Sequence, residues 1–210
     1  MTATDLIIFA KAPLRGFAKT RLIPELGEAG AEKVARGLVE HAVASSCAAN
    51  FSQLELCVSP SIQHEVWDTL DLPASSLRWT EQAEGDLGAR MASGCERVLR
   101  QGRSVVVTGT DCPDLTPERL NAAIAQLADY DVVIYPVSDG GYSLLGINQS
   151  LLPRVSEVLA GLFEGVPWST PEVYSTTQAR IEALGLRCWV GETLHDIDEG
   201  EDLVHLPEGF

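Results

Sequence analysis

Four cations crowd one short stretch of an otherwise acidic chain. Residues 6–24, LIIFAKAPLRGFAKTRLIP, carry Lys11, Arg15, Lys19 and Arg21 and no acid, in a protein of 210 residues with a formal net charge of −15. Cations set on a tight turn (Pro13, Gly16) can neutralise a polyphosphate, with backbone N–H groups completing the cradle. The plain alternative is a solvated surface loop. Against it stands the concentration here of two of the chain's three lysines. Gly16-Phe17-Ala18-Lys19-Thr20 lacks the adjacent Gly-Lys and the earlier Gly of a P-loop, and no GxGxxG follows the run, so neither nucleotide fingerprint is present.

Acids supply the opposite charge. The run Ser104-Val-Val-Val-Thr-Gly-Thr-Asp111-Cys-Pro-Asp114-Leu115 is an apolar strand leading into Gly109 and Asp111. A hard divalent cation such as Mg²⁺ or Mn²⁺ takes one or two carboxylates and completes its shell with phosphate oxygens and water, so an acid facing a basic loop suits a metal–triphosphate site. An Asx turn or a helix cap at Asp111 or Asp114 is the alternative. After Arg187 there is no further Lys or Arg, while seven acids appear. Within that tail, Asp196 and Asp198 share one face of an extended segment and Ile197 points away to pack. Either carboxylate can be the second metal ligand.

Three further stretches bear on substrates. Asp139-Gly140-Gly141-Tyr142 allows close backbone approach to a ligand, or makes a hairpin turn. The segment around Glu164 and Trp168 either walls an acceptor pocket or anchors a loop in the core. Glu84-Gly85-Asp86-Leu87-Gly88 offers backbone amides to a base or ribose, or caps the following helix.

These residues need a scaffold that brings distant stretches together. Apolar runs at Leu6–Ala10, Leu54–Ser59, Ser104–Thr108, Asp131–Val137, Tyr142–Ile147 and Leu186–Val190 read as strands. Helical patterns lie between them, at Glu28–Ala48, at Ser61–Leu70 with Ser61 as cap, and at Asp86–Arg100 with Leu87, Met91, Val98 and Leu99 buried. Two more run from Thr116 to Ala128 and, opened by a Ser169/Glu172 capping box, from Ser169 to Gly185. Strands alternating with helices predict an α/β layer fold with a mostly parallel sheet, whose carboxyl edge is where ligands bind. No repeat or linker interrupts the chain, so residues 1–210 read as a single domain.

Composition narrows the class. Hydrophobic residues make up 45% and charged residues 21%, which is ordinary globular usage. Thirty acidic against fifteen basic residues argue against nucleic acid or an anionic membrane as partner. Five scattered cysteines form no CxxC pair, and no stretch nears a membrane span, so the chain reads as reduced and cytoplasmic. No GxSxG elbow is present.

Taken in order, KAPLRGFAKTRL (11–22), GTDCPDL (109–115), SDGGYSLLG (138–146), FEGVPWST (163–170) and DIDEGEDL (196–203) resemble the radical-SAM/selenodomain-associated transferases of the nucleotide-diphospho-sugar transferase superfamily. That resemblance implies a GT-A fold, a three-layer α/β/α sandwich around a mixed, mainly parallel sheet. It also implies a nucleotide donor, a small-molecule acceptor and a divalent metal. The basic loop is similar to that of phospholactate guanylyltransferases, which implies phosphate contacts for Lys11, Arg15, Gly16, Lys19 and Arg21. Gly85 and Gly88 then fall on the nucleotide side. Asp139, Gly140, Gly141, Tyr142, Glu164 and Trp168 fall on the acceptor side. Asp111 matches the superfamily's metal aspartate and Asp198 the Asp of its late I-D-x-x-E-D-L segment. Lys19, Arg15 and Asp111 are the expected catalytic residues. The loop departs from LAAGxGxRM, and Glu199-Gly200 replaces the usual Thr-Pro. Nucleotidyl transfer to a phosphorylated acceptor such as a sugar phosphate is the expected reaction, with glycosyl transfer from a nucleotide sugar as the rival. A silent nucleotide-sensing domain is the third possibility.

Overall fold

A computed structural model describes residues 3–207 and residue 210. Strands β1 (Thr4–Lys11), β2 (Gln53–Ser59), β3 (Arg78–Glu81), β4 (Ser104–Thr108), β5 (Val132–Pro136), β6 (Tyr142–Ile147) and β7 (Cys188–Val190) form one sheet among the described residues. Its order is β3-β2-β1-β4-β6-β5-β7. Every pairing is parallel except those made by β6, which runs antiparallel to both β4 and β5. The sheet is therefore mixed and mainly parallel.

Helices cover both faces. Leu6, Ile8 and Ala10 of β1 face one core with Val39 and Val43 of α1 (Ile23–Cys47) and Leu120 and Ala123 of α3 (Pro117–Gln126). Ile7 faces the other, with Met91, Cys95 and Val98 of α2 (Leu87–Leu99), Val158 and Leu162 of α4 (Val155–Phe163) and Ile181 of α5 (Val173–Ala183). Alternate residues of one strand thus feed two cores, which is why the run reads as continuously apolar. The result is the expected three-layer α/β/α sandwich. No described helix is long and apolar enough to cross a membrane.

Several local expectations change. Ser61 does not cap a helix: its oxygen accepts from the Gln63 N–H at 3.2 Å in a local turn and its hydroxyl donates to Glu81 Oε1 at 2.7 Å, while helical structure starts only at Glu65. The short 3₁₀ turn at Glu65–Thr69 is capped instead by His64, whose Nδ1 accepts from the Val66 N–H at 3.2 Å. The Ser169/Glu172 capping box is not formed: Ser169 takes φ 64 and α5 starts at Val173 without a side-chain cap. Leu87, expected in the core, is 44% exposed because it is the first residue of α2 and looks out over the carboxyl edge. The edge strand β3 and helix α4 escaped the sequence reading, as did the short 3₁₀ turns outside Ser61–Leu70.

Candidate active site at the carboxyl edge

The parallel strands end on one side of the sheet, and the chain's unusual charges gather there. β1 ends at Lys11, β4 runs out toward Asp111, and β5 runs out toward Asp139 before the chain returns as β6 from Tyr142. A cavity of about 820 Å³ opens over this edge. It lies where the chain leaves β1 to one side for β2 and to the other for β4, the position at which open α/β sheets bind ligands.

The tail completes the site. Leu194 N–H donates to the Pro136 carbonyl and Ile197 N–H to the Asp111 carbonyl, at 2.9 and 2.8 Å. Ile197 is fully buried against Leu22 and Leu38, so its neighbours Asp196 and Asp198 turn toward the cavity. A capping box between Glu199 and Asp202 fixes the following 3₁₀ turn, Gly200–His205, and the Asp202 carboxylate accepts from the Asp198 N–H at 2.9 Å.

Lys19 lies at the centre. Its ammonium stands 2.5 Å from Asp111 Oδ1 and 2.7 Å from Asp198 Oδ1, with the side chain only 8% exposed. The residue takes left-handed backbone angles, φ 50 and ψ 40, a conformation that costs a non-glycine residue about 1–2 kcal/mol. Burial alone pulls a lysine pKa down, but here Asp111 and Asp198 outweigh it and hold the ammonium above the ordinary lysine value. Asp139, Asp196 and Asp198 offer carboxylate oxygens all within 4.8 Å of one another. Burial, followed by Asp139 and Asp198, pushes the Asp196 carboxyl up to about 7. Two of these four acids share the buried ammonium, and among the described residues Asp139 and Asp196 pair with no cation. An all-oxygen donor set of this kind fits Mg²⁺ or Mn²⁺.

The other sequence candidates divide. Lys11, Arg21, Gly141, Tyr142 and Trp168 line the cavity, and Lys11 sits 4.1 Å over the Phe17 ring. Arg15 turns away to Glu32 at 3.2 Å and is 61% exposed. Neither Arg15 nor Gly16, Gly85, Gly88, Gly140 and Glu164 lines the cavity. The glycines at 88 and 140 have packing reasons instead. A Cβ at Gly88 would stand 2.5 Å from the Phe163 carbonyl oxygen and 2.7 Å from the Trp168 indole nitrogen, and one at Gly140 would stand 2.2 Å from the Pro171 oxygen. Glu164 is tied down through its carbonyl, which accepts from Arg180 at 2.5 Å. Asp139, assigned by the sequence to the acceptor, joins the acid cluster.

Gln82 and Arg90 also line the cavity and were missed. Gln82 donates to the Ala10 and Cys57 carbonyls at 3.3 and 3.1 Å and accepts from Arg90 at 3.1 Å. Neither stands in a motif, so only the three-dimensional fold brings them in. Phe9, Leu87, Met91, Tyr142 and Trp168 add apolar lining to the cavity.

This architecture is that of the nucleotide-diphospho-sugar transferases and cytidylyltransferases. Residues 42–170 match the DUF2064 family, described as uncharacterized proteins conserved in bacteria, and the chain belongs to that family. A solved protein from Desulfovibrio desulfuricans G20, provisionally named a nucleotide-diphospho-sugar transferase, superposes with a TM-score of 0.85 at 28% identity, over 97% of this chain and 85% of that one. Rv0371c from Mycobacterium tuberculosis H37Rv, solved as a complex with manganese, gives 0.56 at 16% identity and full coverage, 100% of each chain. A CMP:2-keto-3-deoxy-manno-octonic acid synthetase complexed with CTP gives 0.58 at 11% identity, over 97% of this chain and 96% of that one. Among curated proteins, none matches the chain.

Proposed function

We propose that the chain is a metal-dependent, nucleotide-using transferase that moves a nucleotidyl group from a nucleoside triphosphate to a small phosphorylated acceptor, such as a sugar phosphate. The observation that carries this reading is Lys19 held between Asp111 and Asp198 in a cavity at the carboxyl edge. The CTP and manganese complexes of the two fold relatives support the donor class and the metal.

Lys11, Lys19 and Arg21 hold the triphosphate from the β1–α1 side. An acceptor phosphate oxygen attacks the α-phosphorus, a new P–O bond forms there, and the bond between the α-phosphorus and its bridging oxygen to the β-phosphate breaks, releasing pyrophosphate. Lys19 offsets the charge that grows on that leaving group. Asp111 and Asp198, with Asp139 and Asp196 beside them, would hold a divalent metal, which supplies Lewis-acid polarisation of the phosphoryl oxygens and charge neutralisation. Tyr142 and Trp168 shape the acceptor side and exclude water. Positioning and preorganised charge supply the acceleration, with no covalent intermediate on the protein.

Glycosyl transfer is the second reading, favoured by the provisional name of the D. desulfuricans relative. In it the sugar moves from a nucleotide sugar and the nucleoside diphosphate leaves. Incubating the protein with Mg²⁺, each nucleoside triphosphate and pooled sugar phosphates should release pyrophosphate. Release of nucleoside diphosphate from nucleotide sugars, without pyrophosphate, supports the second reading. If no donor yields either product, both readings fall.

A further inference from the structure

We infer that Lys19 is an internal stand-in for the metal: its ammonium occupies the carboxylates in the nucleotide-free protein, so that a divalent cation binds well only once a polyphosphate has drawn the lysine away. This rests on the transferase reading above and deepens it. The geometry supplies the argument. Both Asp111 Oδ1 and Asp198 Oδ1 lie within 2.7 Å of one nitrogen, a spacing at which charge-assisted contacts are strong. The lysine side chain is 8% exposed while the two carboxylates are 47% and 39% exposed. The cation, not the acids, is the enclosed partner, as a bound ion would be.

The backbone agrees. Lys19 is one of two non-glycine residues with positive φ among the described residues. That strain is offset by the ion pairs it permits and is available for release when they break. Asp198 belongs both to the Lys19 pair and to the Asp139/Asp196/Asp198 group, so a metal on either set of oxygens has to contend with the ammonium for Asp198. A triphosphate reverses the balance. It offers Lys19 several anionic oxygens in place of two carboxylates, and it brings its own oxygens to the metal. Donor and metal then bind with mutual support, because each removes an obstacle to the other.

Mn²⁺ binding, followed by loss of the free-ion electron paramagnetic resonance signal, tests this without turnover. Wild-type protein alone should bind Mn²⁺ weakly. Lys19→Met should tighten binding to the nucleotide-free protein by about tenfold or more, the effect of deleting a competitor that binds only the folded site. Adding Asp198→Asn to Lys19→Met should abolish the gain. Equal Mn²⁺ affinity in wild type and Lys19→Met overturns the stand-in role, and pyrophosphate release by the wild type would then leave the transferase reading intact. Absence of Mn²⁺ binding in every form, with absence of turnover, overturns both. Should Lys19→Met fail to fold, the wild type still decides. With three lysines in the chain, ¹⁵N-lysine spectra should show the Lys19 ammonium unmoved by millimolar Mg²⁺ and shifted by Mg²⁺ with a nucleoside triphosphate. A shift with millimolar Mg²⁺ alone, or none with both, overturns the inference.

Discussion

Both ends of the sheet gather carboxylates, buried at the amino end and open to the cavity at the carboxyl end, and they treat them differently. At the amino end, Arg103 stands 3.1 Å from Asp5. Arg97 forks onto Glu55, Arg78 lies 3.7 Å from it, and the Thr80 hydroxyl donates to it at 2.6 Å. Two acids there meet three arginines. At the carboxyl end, Lys19 pairs with Asp111 and Asp198, and among the described residues no cation pairs with Asp139 or Asp196. Charge matching is what a fold does with an acid it needs only for structure. Unmatched acids in a cavity are the feature on which the proposed metal and nucleotide site rests.

Substitutions at the two ends should therefore fail in different ways. Asp198→Asn should lower kcat/KM by about 10²–10³, the scale of losing one preorganised electrostatic group, while its melting temperature stays near that of the wild type. Glu55→Gln should do the reverse. Breaking its arginine pair should cost about 1–3 kcal/mol in urea unfolding, with turnover retained. Equal loss of stability at both ends would erase the distinction.

The pH dependence sharpens it further. Asp196 is held up to about 7 when folded and ionises near pH 4 when unfolded. The folded chain therefore keeps a proton across that window. The contribution of Asp196 to stability in EDTA should be fully present below about pH 4 and should be lost as pH rises from about 4 to about 7. Asp196→Asn should flatten the decline, which urea midpoints across that range would reveal. The smallest expected change is Arg15→Ala. Because that side chain is exposed and paired on the surface with Glu32, steady-state kinetics should show a loss of less than about tenfold. A loss as large as that of Asp198→Asn would mean the loop rearranges to bring Arg15 inward.

Much of this was legible in the chain itself. The valines of β4 leading to Asp111, the acid-free loop around Lys19, and Asp196 and Asp198 flanking an apolar Ile197 each carried a local signal. Their meeting matched the resemblance read from five ordered motifs. The rest needed tertiary contact. Strand β3 is short and half polar, with the sequence RWTE, so it lacks the apolar run that marks a buried strand. Gln82 earns its place by bonding to carbonyls of β1 and β2, which no spacing reveals. Gly88 reads as a backbone donor until the Trp168 ring is seen against it. Asp139 looked like a turn residue, and in part it is one, accepting from the Gly141 N–H at 2.7 Å. Its proximity to Asp196 depends on a tail more than fifty residues later.

The hydrogen bond from Ile197 to Asp111 fastens the acids to each other, while the Trp168 segment hangs from different anchors, Arg180 and the Gly140–Pro171 contact. Substitutions that remodel that segment away from Gly140, the neighbour of Asp139, should leave the spacing of Asp111, Asp196 and Asp198 unaltered. One wall of the cavity can thereby change shape while the seat for charge keeps its form.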